Sequence, residues 1–244
     1  MNAVTTKPVI IFRFLGREGA GYLADFLDAQ NIPWQLHEID EAKPAPASIL
    51  AYSGMVLMGG PMSVNDDLPW IAPILGLIRE AIDNDIPVLG HCLGGQLMSK
   101  ALGAQITKNP TKEIGWGEVT VSQNETAKNW FGNIESFNAF HWHGETFSLP
   151  KSATHLLASP YCHNQAWGLG KHLAFQTHVE MAAEMVHKWC EEGTEELEAE
   201  LCKSASSIAV QAANIMQDNL PVHIFFLQKV AKQVYSQWIR GLKH

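Results

Sequence analysis

The chain is poor in the features that mark a polyanion binder, a membrane protein or a secreted scaffold. Its 17 Lys and Arg are outnumbered by 25 Asp and Glu, for a formal net charge of −8. The basic residues form no dense cluster, so there is no electrostatic footprint for nucleic-acid phosphates or an anionic membrane. No run approaches the roughly 20 apolar residues that span a bilayer. The apolar stretch Val9-Ile10-Ile11-Phe12 stops at Arg13, too short for the apolar region of a signal peptide, and a cytoplasmic location is expected. The four cysteines, Cys92, Cys162, Cys190 and Cys202, include no C-x-x-C pair, which suits a reducing compartment. Repeats, low-complexity tracts and a G-x-x-x-x-G-K-[ST] loop are also missing, so nucleotide activation is not encoded. What is present is 244 residues with 46% hydrophobic content, enough to fill a large core. Small polar substrates fit this balance best.

Apolar patterning alternates strand with helix. Val9 to Phe14 reads as a buried strand, Tyr22 to Gln30 as a helix, Pro33 to Glu38 as a strand and Val56 to Met58 as a short strand ending at Gly59-Gly60. Trp70 to Asn84 has helical spacing, and Ile86 to Leu89 is again strand-like. The alternation predicts an α/β fold with a mostly parallel twisted sheet and helices on both faces, because parallel strands need long, usually helical, crossovers. Between Gly117 and Gln165 shorter aromatic-rich strands predict an antiparallel extension at one side. Past Glu180 three helices are expected, Ala182 to Cys190, Glu195 to Met216 and Val222 to Leu242, the last with Ile224, Phe225, Val230, Val234, Trp238 and Ile239 on its apolar face. We read residues 1–244 as one domain, with a catalytic core over about 8–190 and a C-terminal helical extension over about 191–244.

Gly90-His91-Cys92-Leu93-Gly94-Gly95-Gln96 places one cysteine between a strand and a helix, flanked by residues small enough for a sharp turn. A sulfur there is presented over the sheet end at a helix N-terminus, whose partial positive charge favours thiolate. A base is available in Gln176-Thr177-His178-Val179-Glu180, where a strand ends. Residues i and i+2 of an extended segment share a side, so Glu180 can hold the His178 imidazole in the tautomer that takes a thiol proton. Cys92, His178 and Glu180 thus form a nucleophile, a base and its orienter.

The G-x-C-x-G-x-Q elbow and the Gln-x-His-x-Glu ending resemble those of the class I glutamine amidotransferases, and the similarity is strongest to stand-alone members like the amidotransferase domain of GMP synthase. Three further stretches agree in order and spacing: Met58 to Val64 with the family's glycine-rich oxyanion loop, Lys112 to Trp116 with a substrate-side segment, and His141 to Glu145 with its His-Gly-Asp stretch. The resemblance implies a flavodoxin-like fold and a thioester route by which the side-chain amide of glutamine releases ammonia for an acceptor on a separate chain. It further implies an oxyanion hole from the N–H groups of Gly60 and Leu93, and substrate contacts from Gly59, Gln96, Ile114, Gly115, Trp116 and His143. A γ-glutamyl peptidase or hydrolase acting on glutathione-type conjugates, and a non-catalytic regulatory module, are the alternatives. Thr177 and Val179 stand where the family usually has Phe and Pro, Gly95 where His is common, and Glu145 where Asp is usual; these departures bear on substrate choice. No cofactor is implied. His141 and His143 share a strand face, but two histidines without a third ligand make a poor metal site, so no metal is expected. His91, adjacent to Cys92, is expected to point away from it. The partners left open are a synthase that accepts ammonia and a second copy of the chain.

Overall fold

A computed structural model describes residues 7–203 and 209–243. Strands β1 (Val9–Arg13), β2 (Trp34–Glu38), β3 (Gly54–Leu57), β4 (Val88–His91) and β9 (His172–Phe175) pair in parallel, in the order β2-β1-β3-β4-β9. Their crossovers include helices α1 (Tyr22–Ala29), α2 (Ile71–Asp83) and α3 (Leu93–Ala101). The four inner strands are buried almost throughout, as packing between two helical layers requires, while the edge strand β2 is only partly buried. Val9, Ile11, Val56, Leu89 and Leu173 enter one core, while Ile10, Phe12, Met55, Leu57, Val88 and Ala174 enter the other.

The sheet continues antiparallel through β8 (Ala166–Leu169), β7 (Thr154–Ala158), β5 (Ile106–Val121) and β6 (Ser136–Phe147), for nine strands in all among the described residues. The expected antiparallel extension is therefore present, and the sheet is mixed. Helix α4 (Glu125–Phe131) joins β5 to β6 and is capped by the Asn124 side chain, which accepts the N–H of Ala127.

The C-terminal region differs from expectation in two places. After α5 (Ala183–Glu192), the expected helix over 195–216 is divided into α6 (Thr194–Lys203) and α7 (Ala213–Gln217), with residues 204–208 outside the described residues. Between them Ile114 donates its N–H to Ala209 at 2.8 Å and Gln211 donates to Ile114 at 2.9 Å, so the chain leaves helical geometry to pair with β5. The second difference lies in α8 (Leu220–Trp238): Phe225 is 56% exposed rather than part of the apolar face. The buried stripe is Leu220, Ile224, Leu227, Val230, Ala231, Val234, Tyr235 and Trp238, which recur at helical spacing and include the expected Ile224, Val230, Val234 and Trp238. Phe225 is one residue, about 100° of helix rotation, off that stripe. Helix α8 packs on α1, α4 and β6. No helix among the described residues is long and apolar enough to cross a membrane.

Candidate active site

Cys92 lies between β4 and α3 with φ 50° and ψ −107°, a conformation that a non-glycine residue rarely holds. The turn closes because its neighbours have no side chains. A Cβ on Gly90 would lie 2.5 Å from the carbonyl carbon of Gly94, one on Gly94 2.1 Å from the Leu57 oxygen, and one on Gly95 2.2 Å from the Phe175 oxygen. Gly95 thus has no room here for any side chain. The Cys92 N–H donates to Phe175 O at 2.9 Å and its carbonyl accepts from Gln96 at 3.0 Å, tying the elbow to β9 and opening the helix. The residue is 5% exposed, with its sulfur on a cleft of about 640 Å³.

His178 and Glu180 follow β9 and are both 1% exposed. His178 Nδ1 donates to Glu180 Oε1 at 2.7 Å, and the His178 backbone N–H is fixed to Phe140 O of β6 at 2.8 Å. Burial disfavours the imidazolium, but the Glu180 carboxylate and the adjacent Cys92 sulfur outweigh it and hold His178 well above its ordinary range. Burial likewise favours neutral Glu180, yet His91 and His178 pull its carboxyl down to about 2. His178 Nε2 has no hydrogen-bond partner among the described residues. The Cys92 sulfur is nonetheless near enough to raise His178, and such contacts are commonly loose before substrate binds.

Of the other expected residues, Gly60, Gln96 and His143 line the cleft with Cys92. A Cβ on Gly59 would lie 3.1 Å from His178 Cε1, and one on Gly60 2.8 Å from Leu93 Cδ2. The loop and the elbow are therefore in contact. The N–H groups of Gly60 and Leu93 donate to no other group among the described residues, and Leu93 is the first residue of α3, whose N–H has no partner within the helix. Gln96 Nε2 donates to Gln176 Oε1 at 3.1 Å, and Gln176 Nε2 lies 3.5 Å from Cys92 Sγ, so Gln96 reaches the nucleophile through a second glutamine.

Ile114, Gly115 and Trp116 do not line the cleft. They hold the returning C-terminal chain: the Trp116 N–H donates to Gln211 Oε1 at 2.8 Å, Gln211 Nε2 donates back to Trp116 O at 2.9 Å, and Gly115 has φ 109° where Gln211 presses against it. Thr177 and Val179 are fully buried and do not reach the cleft, so neither shapes the room for a leaving group. Glu145 does line it, accepting from Ser63 Oγ at 3.1 Å.

The third ligand missing beside His141 and His143 comes from across the β5–β6 ladder, where Glu113 is the register partner of His143. Ligand atoms of these three buried residues lie within 4.8 Å of one another. The Glu113 carboxylate is already satisfied, accepting from Ser159 Oγ at 2.7 Å, Gln165 Nε2 at 2.8 Å and His143 Nε2 at 3.1 Å. A cation would have to displace these bonds; of the three residues only His143 lines the cleft, and Glu113 holds it from behind.

Four residues at the site are given no role by the sequence, although His91 is expected to point away from Cys92. Trp189 of α5 packs edge-on against the His178 ring at 4.8 Å. His91 Nε2 lies 3.7 Å from Glu180 Oε2 and 3.3 Å from the Tyr235 hydroxyl of α8, so the residue beside Cys92 faces the Glu180 carboxylate. Glu18, in the loop after β1, reaches the cleft next to Gly59 and His178. Each is placed by tertiary contact and by no local pattern.

Residues 23–185 match the family model described as glutamine amidotransferase class-I. The glutamine amidotransferase-like protein YfeJ of Salmonella typhimurium is 30% identical over 68% of this chain and 72% of its own. A GMP synthase (glutamine-hydrolysing) of Acinetobacter baylyi is 31% identical over 57% of this chain and 26% of its own. Among solved structures, a glutamine amidotransferase from Methylobacillus flagellatus is 43% identical with a TM-score of 0.95, covering 98% of this chain and 97% of that one. One from Thermotoga maritima is 26% identical with a TM-score of 0.84, covering 96% and 99%.

Proposed function

The chain belongs to the class I glutamine amidotransferase family, and on that premise we propose that it is a Cys-His-Glu thiol hydrolase that releases ammonia from the side-chain amide of glutamine. Cys92 Sγ attacks the amide carbon, forming a C–S bond and placing negative charge on the former carbonyl oxygen. The N–H groups of Gly60 and Leu93 receive that oxyanion. His178 gives its Nε2 proton to the nitrogen, the C–N bond breaks with its electron pair going to nitrogen, and ammonia leaves a thioester on Cys92. Water, deprotonated by the same His178, then attacks the thioester, and glutamate leaves as the thiol is restored.

The observation that carries this reading is a cysteine at positive φ on the wall of the cleft and, behind it, a buried His178–Glu180 pair close enough to the sulfur for its electrostatics to favour the imidazolium. Structural burial alone requires neither the backbone strain nor the pair. The acceptor of the ammonia is assigned to a separate chain, by analogy with the GMP synthase relative, of which the matched segment is 26%.

The size of the cleft favours a second reading. About 640 Å³ falls within the range that takes drug-sized ligands, and it accommodates a γ-glutamyl compound with a leaving amine larger than ammonia. The deciding assay measures ammonia from L-glutamine and free amine from a γ-glutamyl dipeptide, with Cys92→Ala in parallel. Cys92-dependent ammonia release is expected. A clear preference for the dipeptide replaces the first reading with the second, and turnover that survives Cys92→Ala refutes both.

A further inference from the structure

Glu18 is a carboxylate with no assigned role, only 6% exposed and on the wall of the cleft. Among the described residues its side chain has neither a hydrogen bond nor an ion pair, although leaving a buried carboxylate without a donor is costly. Burial pushes its carboxyl up to about 7, against the opposing pull of His178 and Arg17.

Its position is built rather than incidental. Gly21, at φ 50°, brings the loop so close to Glu180 that a Cβ there would lie 2.3 Å from Glu180 O. The Tyr22 N–H then donates to that same oxygen at 2.9 Å, and Trp189 Nε1 donates to Arg17 O at 3.0 Å. The loop is thus fastened to the segment that carries His178 and Glu180 and to the tryptophan that packs on His178. At Gly59, a Cβ would lie 2.1 Å from Glu18 Oε2 and 3.1 Å from His178 Cε1, so the carboxylate and the imidazole edge flank one point. Since His178 delivers its proton to the departing nitrogen, its flank is the leaving-group side of the cleft.

Resting on the amidotransferase reading, we propose that Glu18 is a leaving-group-binding residue, whose carboxylate accepts an N–H of the scissile amide and offsets the positive charge on that nitrogen as it departs. When His178 protonates the tetrahedral intermediate, the nitrogen carries two or three hydrogens and a formal positive charge. The C–N bond then breaks with its electron pair going to nitrogen, and the amine leaves neutral. Glu18 gains and loses no proton; its contribution grows with the charge on nitrogen and so is made chiefly in the transition state. The substrate class this favours is γ-glutamyl amides of ammonia or basic alkylamines over those of weakly basic arylamines, whose nitrogen departs with less charge.

The test compares kcat/KM of the wild type and Glu18→Gln on γ-glutamyl ethylamide and γ-glutamyl p-nitroanilide, with thermal melting as a check on folding. Glu18→Gln keeps the shape and removes the charge. It is expected to lose about tenfold or more on the ethylamide, the size of a lost charge-assisted hydrogen bond, and less than about threefold on the anilide. Equal losses on both substrates, or no loss on either, overturn the proposal while leaving the amidotransferase reading intact. A wild type that turns over L-glutamine but neither probe overturns the proposed substrate class, and one that turns over none of the three removes the reading on which it rests. Should Glu18→Gln not fold, Glu18→Asp, which retains the charge but withdraws it by one methylene, is expected to lose more on the ethylamide than on the anilide, and equal loss is again fatal.

Discussion

Replacing Gly94 by alanine tests whether the contact between α3 and the sheet seats the nucleophile. The new Cβ would lie 2.1 Å from the Leu57 oxygen, 2.6 Å from its carbon and 2.7 Å from its Cβ, with the first two of these being backbone in the middle of the sheet. Restoring even a tight contact of 3.0 Å requires α3 to recede by about 1 Å. Overpacking of this kind costs about 3 kcal/mol where neither side can yield, and the better helix propensity of alanine returns about 1, for a net loss of about 2 kcal/mol. Because Cys92 opens α3 while His178 lies in the segment after β9, the shift also separates the proposed nucleophile from its proposed base, and a misplacement of about 1 Å costs on the order of 10²-fold in rate. The control is Gly76→Ala in α2, where nothing lies within 4 Å of the added Cβ; it should gain about 0.5–1 kcal/mol. Urea unfolding gives the stability term. The rate of carbamidomethylation of the Cys92 peptide, followed by mass spectrometry, reports the state of the nucleophile without presuming a substrate. A Gly94→Ala protein as stable as Gly76→Ala, with Cys92 labelled at the wild-type rate, would refute the argument that helix–sheet contact holds the elbow.

Acidification should destabilise the fold. Burial holds His141 and His172 down to about 4, so below the ordinary histidine value the unfolded chain binds protons that the folded one refuses, and stability falls from pH 6.5 toward 4. Glu18, raised to about 7, opposes this by binding its proton preferentially in the folded state, leaving a net loss on the order of 3 kcal/mol in urea unfolding; a flat or rising profile contradicts it. A chain ending at Trp189 should fail to give a soluble monomer by size exclusion with light scattering, because it uncovers the surface on which fully buried Val234, Tyr235 and Trp238 pack, and a soluble folded product would show that the C-terminal helices are an appendage.

The elbow is legible in the sequence because a turn this sharp restricts residue type, and Gly90, Gly94 and Gly95 each face backbone within 2.5 Å of an added Cβ. His178 and Glu180 are legible because an extended segment fixes which residues share a side. Glu18 has no such constraint around it: one glutamate in a loop is placed by Gly21, Tyr22 and Trp189, contacts up to 172 residues distant in the chain. Glu113 became the partner of His143 only through the β5–β6 register, which a bulge between Lys108 and Glu113 displaces from simple counting. Ile114, Gly115 and Trp116 were assigned by resemblance, and the chain uses them to dock residues 209–211 instead. The helical periodicity across 195–216 held only where that docking did not compete for backbone hydrogen bonds.

The C-terminal segment and the Glu180 carboxylate are linked more closely than a core followed by an extension implies. Glu180 spends Oε1 on His178 at 2.7 Å, and Oε2 faces His91 Nε2 at 3.7 Å. His91 stacks on Phe175 and reaches the Tyr235 hydroxyl of α8 at 3.3 Å, with no exposed surface on either residue. A carboxylate held by one hydrogen bond can rotate about its last torsion; one walled on its other oxygen by a fixed ring cannot. That ring is fixed by a tyrosine 144 residues further along the chain. Helix α6 adds Glu196, which accepts from Trp142 Nε1 at 3.0 Å on the cleft wall. The setting of the His178–Glu180 pair therefore depends on a helix outside the segment matched by the family model, and a substitution such as Tyr235→Phe acts on that pair without touching the cleft.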